Sequence, residues 1–232
     1  MDIQKKNEIL QVFGRLFRAH PWHGIPVGNN FPDVLNVFIE IVPTDTVKYE
    51  VDKLTGFLKI DRPQRFSNVT PTLYGFIPQT YCGDRVGQLC DYDEDGFDLK
   101  GDGDPLDICI LTEKTINQGG IILQAKPIGG IKLIDGNDVD DKIIAVLKDD
   151  AVYDSYNDIK DVPKKLIDRL RHYFLTYKQI PGLTPTKCFI VDIYGRDEAL
   201  KVIKASREDY IEKFGDLQNE LINILTNDIN SK

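Results

Sequence analysis

Asp102-Gly103-Asp104-Pro105-Leu106-Asp107-Ile108 is the stretch on which the reading of this chain turns. On a straight strand Asp102 and Asp104 would share one face and Asp107 would point to the other. Gly103 and Pro105 predict a turn instead, one that lets the three carboxylates converge. Behind it, the apolar run from Leu106 to Leu111 has strand length and makes a rigid base. Three carboxylates roughly 6 Å apart at an effective dielectric of ~20 repel by ~2.8 kcal/mol per pair. A turn carries that load only if the groups splay into water, take up protons or bind cations. Oxygen-only donors suit a hard divalent ion such as Mg²⁺. Taken alone, the stretch reads more simply as a solvated acidic turn.

Upstream, residues 36–42 alternate as a strand with both faces mainly apolar, so Glu40 is expected inside and in need of a partner or a metal. A hairpin follows, with strands 47–51 and 56–62 joined by Asp52-Lys53-Leu54-Thr55. Its two-residue period puts Lys48 and Glu50 on one face. Residues 70–80, rich in Pro, Gly and aromatics, are expected to be irregular but well packed. Downstream lie strands over 106–111 and 121–134, the second interrupted at Pro127 to Gly130. A second acidic turn, Asp135 to Lys142, leads into a strand over 143–147. Pro163 opens a helix running to about Lys178, with Leu166, Ile167, Leu170, Phe174 and Tyr177 as its buried stripe. A last strand over 187–194 and one or two helices over 197–228, broken near Gly215, complete the pattern. The N-terminal residues 3–19 read as an amphipathic helix ending before Pro21, and His20-Pro21-Trp22-His23-Gly24 as a packed turn anchored by Trp22. A strand-rich middle with helical ends predicts an α+β fold, a small closed β-barrel flanked by α-helices.

The formal charge of −8 argues against nucleic acid as a partner and leaves any anionic substrate in need of bound metal to reverse the local sign. No apolar stretch approaches the ~20 residues of a membrane span, and the first residues lack a secretory apolar core. Cys82, Cys90, Cys109 and Cys188 show neither metal-ligand nor disulfide-scaffold spacing. The chain reads as cytoplasmic, reduced and without a membrane partner.

The motif at 102–108 resembles the signature of the soluble inorganic pyrophosphatases built on an OB-like β-barrel. Further segments of that family's pattern occur in order: Glu40 in Ile-Glu-Ile, Lys48-Tyr49-Glu50-Val51-Asp52, Asp61-Arg62, Tyr74-Gly75-Phe76-Ile77-Pro78, Asp135 with Asp140 and Lys142, and Tyr177-Lys178. Together they span roughly residues 36–195. The resemblance implies hydrolysis of pyrophosphate by a Mg²⁺-dependent homo-oligomer, a single domain over 1–232. To this are appended an N-terminal helical extension (1–30), an acidic insertion (82–101) and C-terminal helices (198–232). It implies Asp102, Asp107 and Asp140 as ligands of the metals that hold the attacking water, with Asp107 between them. Asp135, Asp140 and Glu40 would bind metals arriving with substrate, and Glu50 would hold water around them. Asp104 would be the general base. Lys48, Arg62, Lys142, Tyr177 and Lys178 would bind the two phosphates, with Tyr74 lining the site. Many family members have Tyr where this chain has Thr70, which keeps a hydroxyl but loses the reach of a Tyr.

Two other readings are open to the residues. Asp91 to Asp102 matches an EF-hand loop except for Asp in the final Glu position, but Gly83, Gly87 and the 101–105 turn argue against flanking helices. A nucleotide-directed phosphatase is the nearer alternative, although no G-x-x-x-x-G-K-[ST] loop is present.

Overall fold

The computed structural model describes residues 18–92, 99–178, 182, 188–215 and 219–223. Its centre is a ring of strands. β1 (Leu35–Ile41) pairs with β4 (Leu73–Phe76), β4 with β6 (Asp107–Leu111), β6 with β9 (Lys142–Leu147), β9 with β7 (Ile121–Asp135), and β7 closes back on β1. Ring closure removes free sheet edges and wraps both strand faces around apolar side chains. One cluster fills the inside, with Leu35, Val37, Ile39, Leu73, Ile108, Ile110 and Ile143 all buried.

The short strands β5 (Lys100–Gly101) and β8 (Asp138–Val139) and the last strand β10 (Cys188–Gly195) extend the sheet beside β7, while β2 (Val47–Val51) and β3 (Leu58–Pro63) form a separate hairpin. The helices are α1 (Asp84–Gln88), α2 (Lys164–Thr176) and α3 (Arg196–Phe214). α2 packs Ile167, Leu170, Tyr173 and Phe174 against Cys109, Ile128, Ile131 and Ile144 on the outer face of the ring. On α3, Ala199, Val202 and Ile203 belong to the cluster inside the ring. The α+β barrel with flanking helices read from the sequence is the architecture observed.

The strand predictions at 36–42, 47–51, 106–111, 143–147 and 187–194 agree with β1, β2, β6, β9 and β10 to within a residue or two. The interruption at Pro127 to Gly130 is a register shift between Pro127 and Gly129 inside one long strand, where it bends β7 between its partners. Two expectations need correction. Residues 70–80 are not irregular throughout, because β4 lies within them. Gly75 hides this strand from a propensity reading. Its backbone approaches β1 so closely that a Cβ there would stand 1.9 Å from the Phe38 carbonyl oxygen. Gly75→Ala should therefore destabilise the barrel by about 3 kcal/mol; urea denaturation of the two proteins measures it.

The second correction is α1, a short helix where Gly83 and Gly87 argued against one. The buried Asp209 carboxylate accepts from the amides of Gly83, Arg85 and Val86 at 3.0, 3.3 and 3.2 Å. That anchor comes from a distant helix. Gly87 then lets the Lys100–Gly101 backbone approach. Where the EF-hand reading would need its second helix, the chain instead forms β5 at Lys100–Gly101 and then the 102–108 turn.

The N-terminal helix over 3–19 lies outside the described residues except for Arg18 and Ala19, which are not helical. Residues 93–98 of the acidic insertion also lie outside them. Trp22 is the anchor expected of its turn: it is buried, donates to the Thr80 carbonyl at 2.7 Å and meets Phe214 edge-on at 5.2 Å. α3 ends at Gly215, whose φ of +69° breaks the helix where the sequence placed the break.

Candidate active site

Strand register assembles one wall of the site. β6 and β9 run parallel with Asp107 beside Lys142, and Asp140 precedes Lys142 by the two residues that return a strand to the same face. β4 pairs Tyr74 with Cys109, so Tyr74 and Asp107 are diagonal neighbours. The contacts follow. Tyr74 Oη donates to Asp107, and Lys142 Nζ donates to both Asp107 and Asp140. The Lys142 side chain is only 4% exposed, against 21% for Asp107 and 13% for Asp140, so a buried ammonium faces a half-buried carboxylate pair.

The 102–108 stretch is a turn, bolted to the segment above it. Gly103 has φ +75°, a value that strains any side chain but suits glycine. Its amide donates to the Cys82 carbonyl at 2.9 Å, the Cys82 amide to the Asp104 carbonyl at 2.8 Å, and the Leu106 amide to Thr80 Oγ1 at 2.9 Å. Asp102 Oδ1 accepts from the Asp104 amide at 3.0 Å. This turns Asp102 inward and leaves the Asp104 side chain 44% exposed.

The hairpin supplies cations. β2 and β3 set Lys48 opposite Arg62, a like-charge pair that would repel. The register skips Asp61, making it the extra residue of a bulge, and its carboxylate accepts from Arg62 and lies 3.1 Å from Lys48. Glu50 is 3.5 Å from Lys48. The hairpin is tied to the ring by the Val51 amide, which donates to Glu40 Oε1 at 2.6 Å. Beyond α2, Lys178 donates to Asp135. The Tyr177 ring lies beneath both cations, 6.0 Å from the Arg62 guanidinium carbon and 5.3 Å from Lys178 Nζ.

Electrostatics bear the mark of this crowding. Burial, reinforced by the charges of Asp140 and Asp107, pushes the Asp102 carboxyl up to about 8. Burial raises Asp107 as well, against the pull of Lys142, and raises Glu40 to about 8 despite its bond from Val51. Burial alone would favour neutral Lys142, but Asp107 and Asp140 outweigh it and hold the ammonium well above its usual range.

All the residues singled out in the sequence line one cleft of about 310 Å³: Glu40, Lys48, Glu50, Arg62, Tyr74, Asp102, Asp104, Asp107, Asp135, Asp140, Lys142, Tyr177 and Lys178. Thr70 does not line it; its buried hydroxyl donates to the Thr72 carbonyl at 3.1 Å, so it makes no contact in place of a Tyr. Other lining residues were not selected in the sequence, and three of them bear on the chemistry. Trp22 was read only as an anchor, Asp138 only as part of an acidic turn, and Lys53 only as a hairpin connection. Asp61, quoted as motif without a role, orders the cations.

The donor set suits hard cations. The ligating groups on offer are carboxylate oxygens, and burial pushes Asp102, Asp107 and Glu40 toward their neutral forms, a cost that a bound cation would offset. Among the described residues no three acid, imidazole or thiol groups converge as a finished cage. The Lys142 ammonium lies between Asp107 and Asp140.

Comparison with known proteins agrees with this geometry. Residues 37–211 match the family described as inorganic pyrophosphatase. The chain is 52% identical over 200 residues to the inorganic pyrophosphatase of Chlamydia muridarum, covering 84% of this chain and 96% of that one. It is 34% identical over 198 residues to soluble inorganic pyrophosphatase 1 of Arabidopsis thaliana, covering 85% and 83%. The crystal structure of inorganic pyrophosphatase from Thermus thermophilus superposes with a TM-score of 0.68 at 29% identity, over 83% of this chain and 99% of that one. No helix among the described residues is long and apolar enough to cross a membrane. With a barrel that sets acids and cations around one small cleft, and with relatives matched over most of their length, the chain belongs to the inorganic pyrophosphatase family.

Proposed function

We propose that the chain carries out the hydrolysis of inorganic pyrophosphate to two phosphates with Asp104 as general base, Mg²⁺ as the metal, and the cleft cations as the phosphate grip. The observation that carries this reading is the meeting of half-buried acids from β6, the turn before β9 and the 102–108 turn with cations from β2, β3, β9 and the residues just past α2 in a cleft of about 310 Å³. Such a space fits a small, highly charged and nearly featureless anion, which only charge can recognise.

Lys48, Arg62 and Lys178 bind phosphate oxygens, Arg62 through two parallel hydrogen bonds and the lysines as point charges. Tyr177, under both Arg62 and Lys178, keeps them aimed and donates its own hydroxyl. Lys142 completes the phosphate grip and, with Tyr74, donates to Asp107 and fixes its orientation. Asp102, Asp107 and Asp140 would hold metal on the water side, with Asp135, Asp140 and Glu40 on the substrate side and Glu50 ordering water. Divalent ions held by these acids would supply positive charge to neutralise the substrate and would make bound water more acidic. Asp104, half exposed, accepts the proton as the water oxygen bonds to phosphorus. The bridging P–O bond breaks, and the second phosphate leaves with its electron pair. Phosphoryl transfer asks the protein mainly for positioning and charge. Cytoplasmic location accords with the free Cys82, Cys90, Cys109 and Cys188. The homo-oligomer belongs to the same reading and is checked by light scattering.

Phosphate release from pyrophosphate, ATP and a phosphate monoester, each with Mg²⁺ and with chelator, tests the whole. Turnover confined to pyrophosphate with Mg²⁺ is the expected result. Comparable turnover of ATP would favour a nucleotide-directed phosphatase, and turnover in chelator would remove the metal.

A further inference from the structure

The cleft holds one cation that neither the motifs nor the roles above use. Lys53 sits in the turn joining β2 to β3, and its ammonium donates to Asp104, on the 102–108 turn. The turn that presents it is firmly built. Asp52 Oδ1 accepts from the Thr55 amide at 2.9 Å and the Thr55 hydroxyl at 2.8 Å, and Gly56, at φ +73°, packs against His20 and Pro21. The backbone is held while the Lys53 side chain, 50% exposed, keeps its reach.

The partners of the other cleft cations differ. Lys142 is buried between two acids, Lys48 and Arg62 share Asp61, and Lys178 holds Asp135. Only in the pair with Lys53, among these, is the acid the one placed to take the proton from water. A half-exposed ion pair of this kind is weak and exchanges readily. A phosphate group, with more charge than one carboxylate and three acceptor oxygens, is the stronger partner for an ammonium.

We infer that Lys53 is a further substrate-binding residue, which leaves Asp104 for a pyrophosphate oxygen when substrate enters. One exchange then does two things: it adds a cation to the phosphate grip, and it frees the Asp104 carboxylate to accept a proton. The base is thus covered by Lys53 until substrate is present. The inference rests on the cleft being a pyrophosphate site, as proposed above.

The test compares wild type, Lys53→Gln and Lys53→Arg in two measurements with Mg²⁺. One is the steady-state kinetics of pyrophosphate hydrolysis; the other is calorimetric binding of methylenediphosphonate, which is not hydrolysed. Losing one charge-assisted hydrogen bond should raise KM and the diphosphonate Kd roughly tenfold in Lys53→Gln, with a smaller change in kcat. Lys53→Arg, which keeps the charge and the reach, should recover both to within about threefold. Lys53→Gln with wild-type KM and diphosphonate Kd, whether or not kcat falls, would overturn the inference, a fall in kcat leaving Lys53 as a group that only positions Asp104. Failure of the wild type to hydrolyse pyrophosphate or bind the diphosphonate is a separate outcome, and it would overturn the reading of the cleft itself. Matching melting temperatures confirm that each variant is folded.

Discussion

Asp104→Asn should lower kcat for pyrophosphate by ~10²–10⁴-fold, the usual worth of a positioned general base. The amide keeps the size of the carboxylate and can still accept from Lys53 through its oxygen, but it cannot take up a proton from water. The fold should barely notice. Asp104 is 44% exposed, and its pairing with Lys53 is a surface pair that contributes at most about 1 kcal/mol. Metal affinity should also be largely kept, because the half-buried acids Asp102 and Asp107 are untouched. Stopped-flow or steady-state phosphate release, read beside a melting curve, checks both halves. A variant that is folded and turns over within a few-fold of wild type would take Asp104 out of the role.

The second large effect is metal-linked stability. Mg²⁺ that binds only the folded protein should stabilise it by about 2.7 kcal/mol at a free concentration 100 times its Kd. For a chain of this size that raises the melting temperature by roughly 2–4 °C per kcal/mol. Asp107→Ala should erase most of the gain. Asp107 lies beside Lys142 in the parallel register of β6 and β9 and is the acid most deeply engaged with its neighbours, Tyr74 and Lys142 both donating to it. The variant's own melting temperature without metal will fall, since Lys142 then keeps only Asp140 of its two partners. The informative quantity is therefore the increment with Mg²⁺. An increment in Asp107→Ala equal to that of wild type would remove Asp107 from the metal site. A wild type that does not respond to Mg²⁺ over a wide titration would count against a metal site formed by the folded chain.

Much of the site was legible from local pattern. The turn at 102–108 announces itself through Gly103 and Pro105, because backbone geometry there is dictated by residue type: φ at Gly103 is +75°. Glu40 reads as an inside carboxylate because its neighbours on both faces are apolar, and it is indeed buried. The bend near Pro127 is legible because proline cannot donate to a ladder. Where the cause was distant, the pattern failed. β4 depends on the close approach of Gly75 to Phe38, and α1 on Asp209, more than 120 residues further along the chain. Neither partner can be weighed by reading a window of sequence.

By itself, then, the sequence determined which chemistry this protein holds: acids in two short turns, cations on a hairpin and a helix end, and strands whose period faces them one way. Those are local properties, set by φ/ψ preference and by side-chain periodicity over a few residues. Only the tertiary structure decided which acid meets which cation. The parallel register of β6 and β9 puts Lys142 between Asp107 and Asp140, the bulge at Asp61 lets one carboxylate serve Lys48 and Arg62, and the hairpin turn brings Lys53 to Asp104. Coulomb energy depends on distance and on burial. Ring closure sets both, by bringing together groups that lie tens of residues apart in the chain.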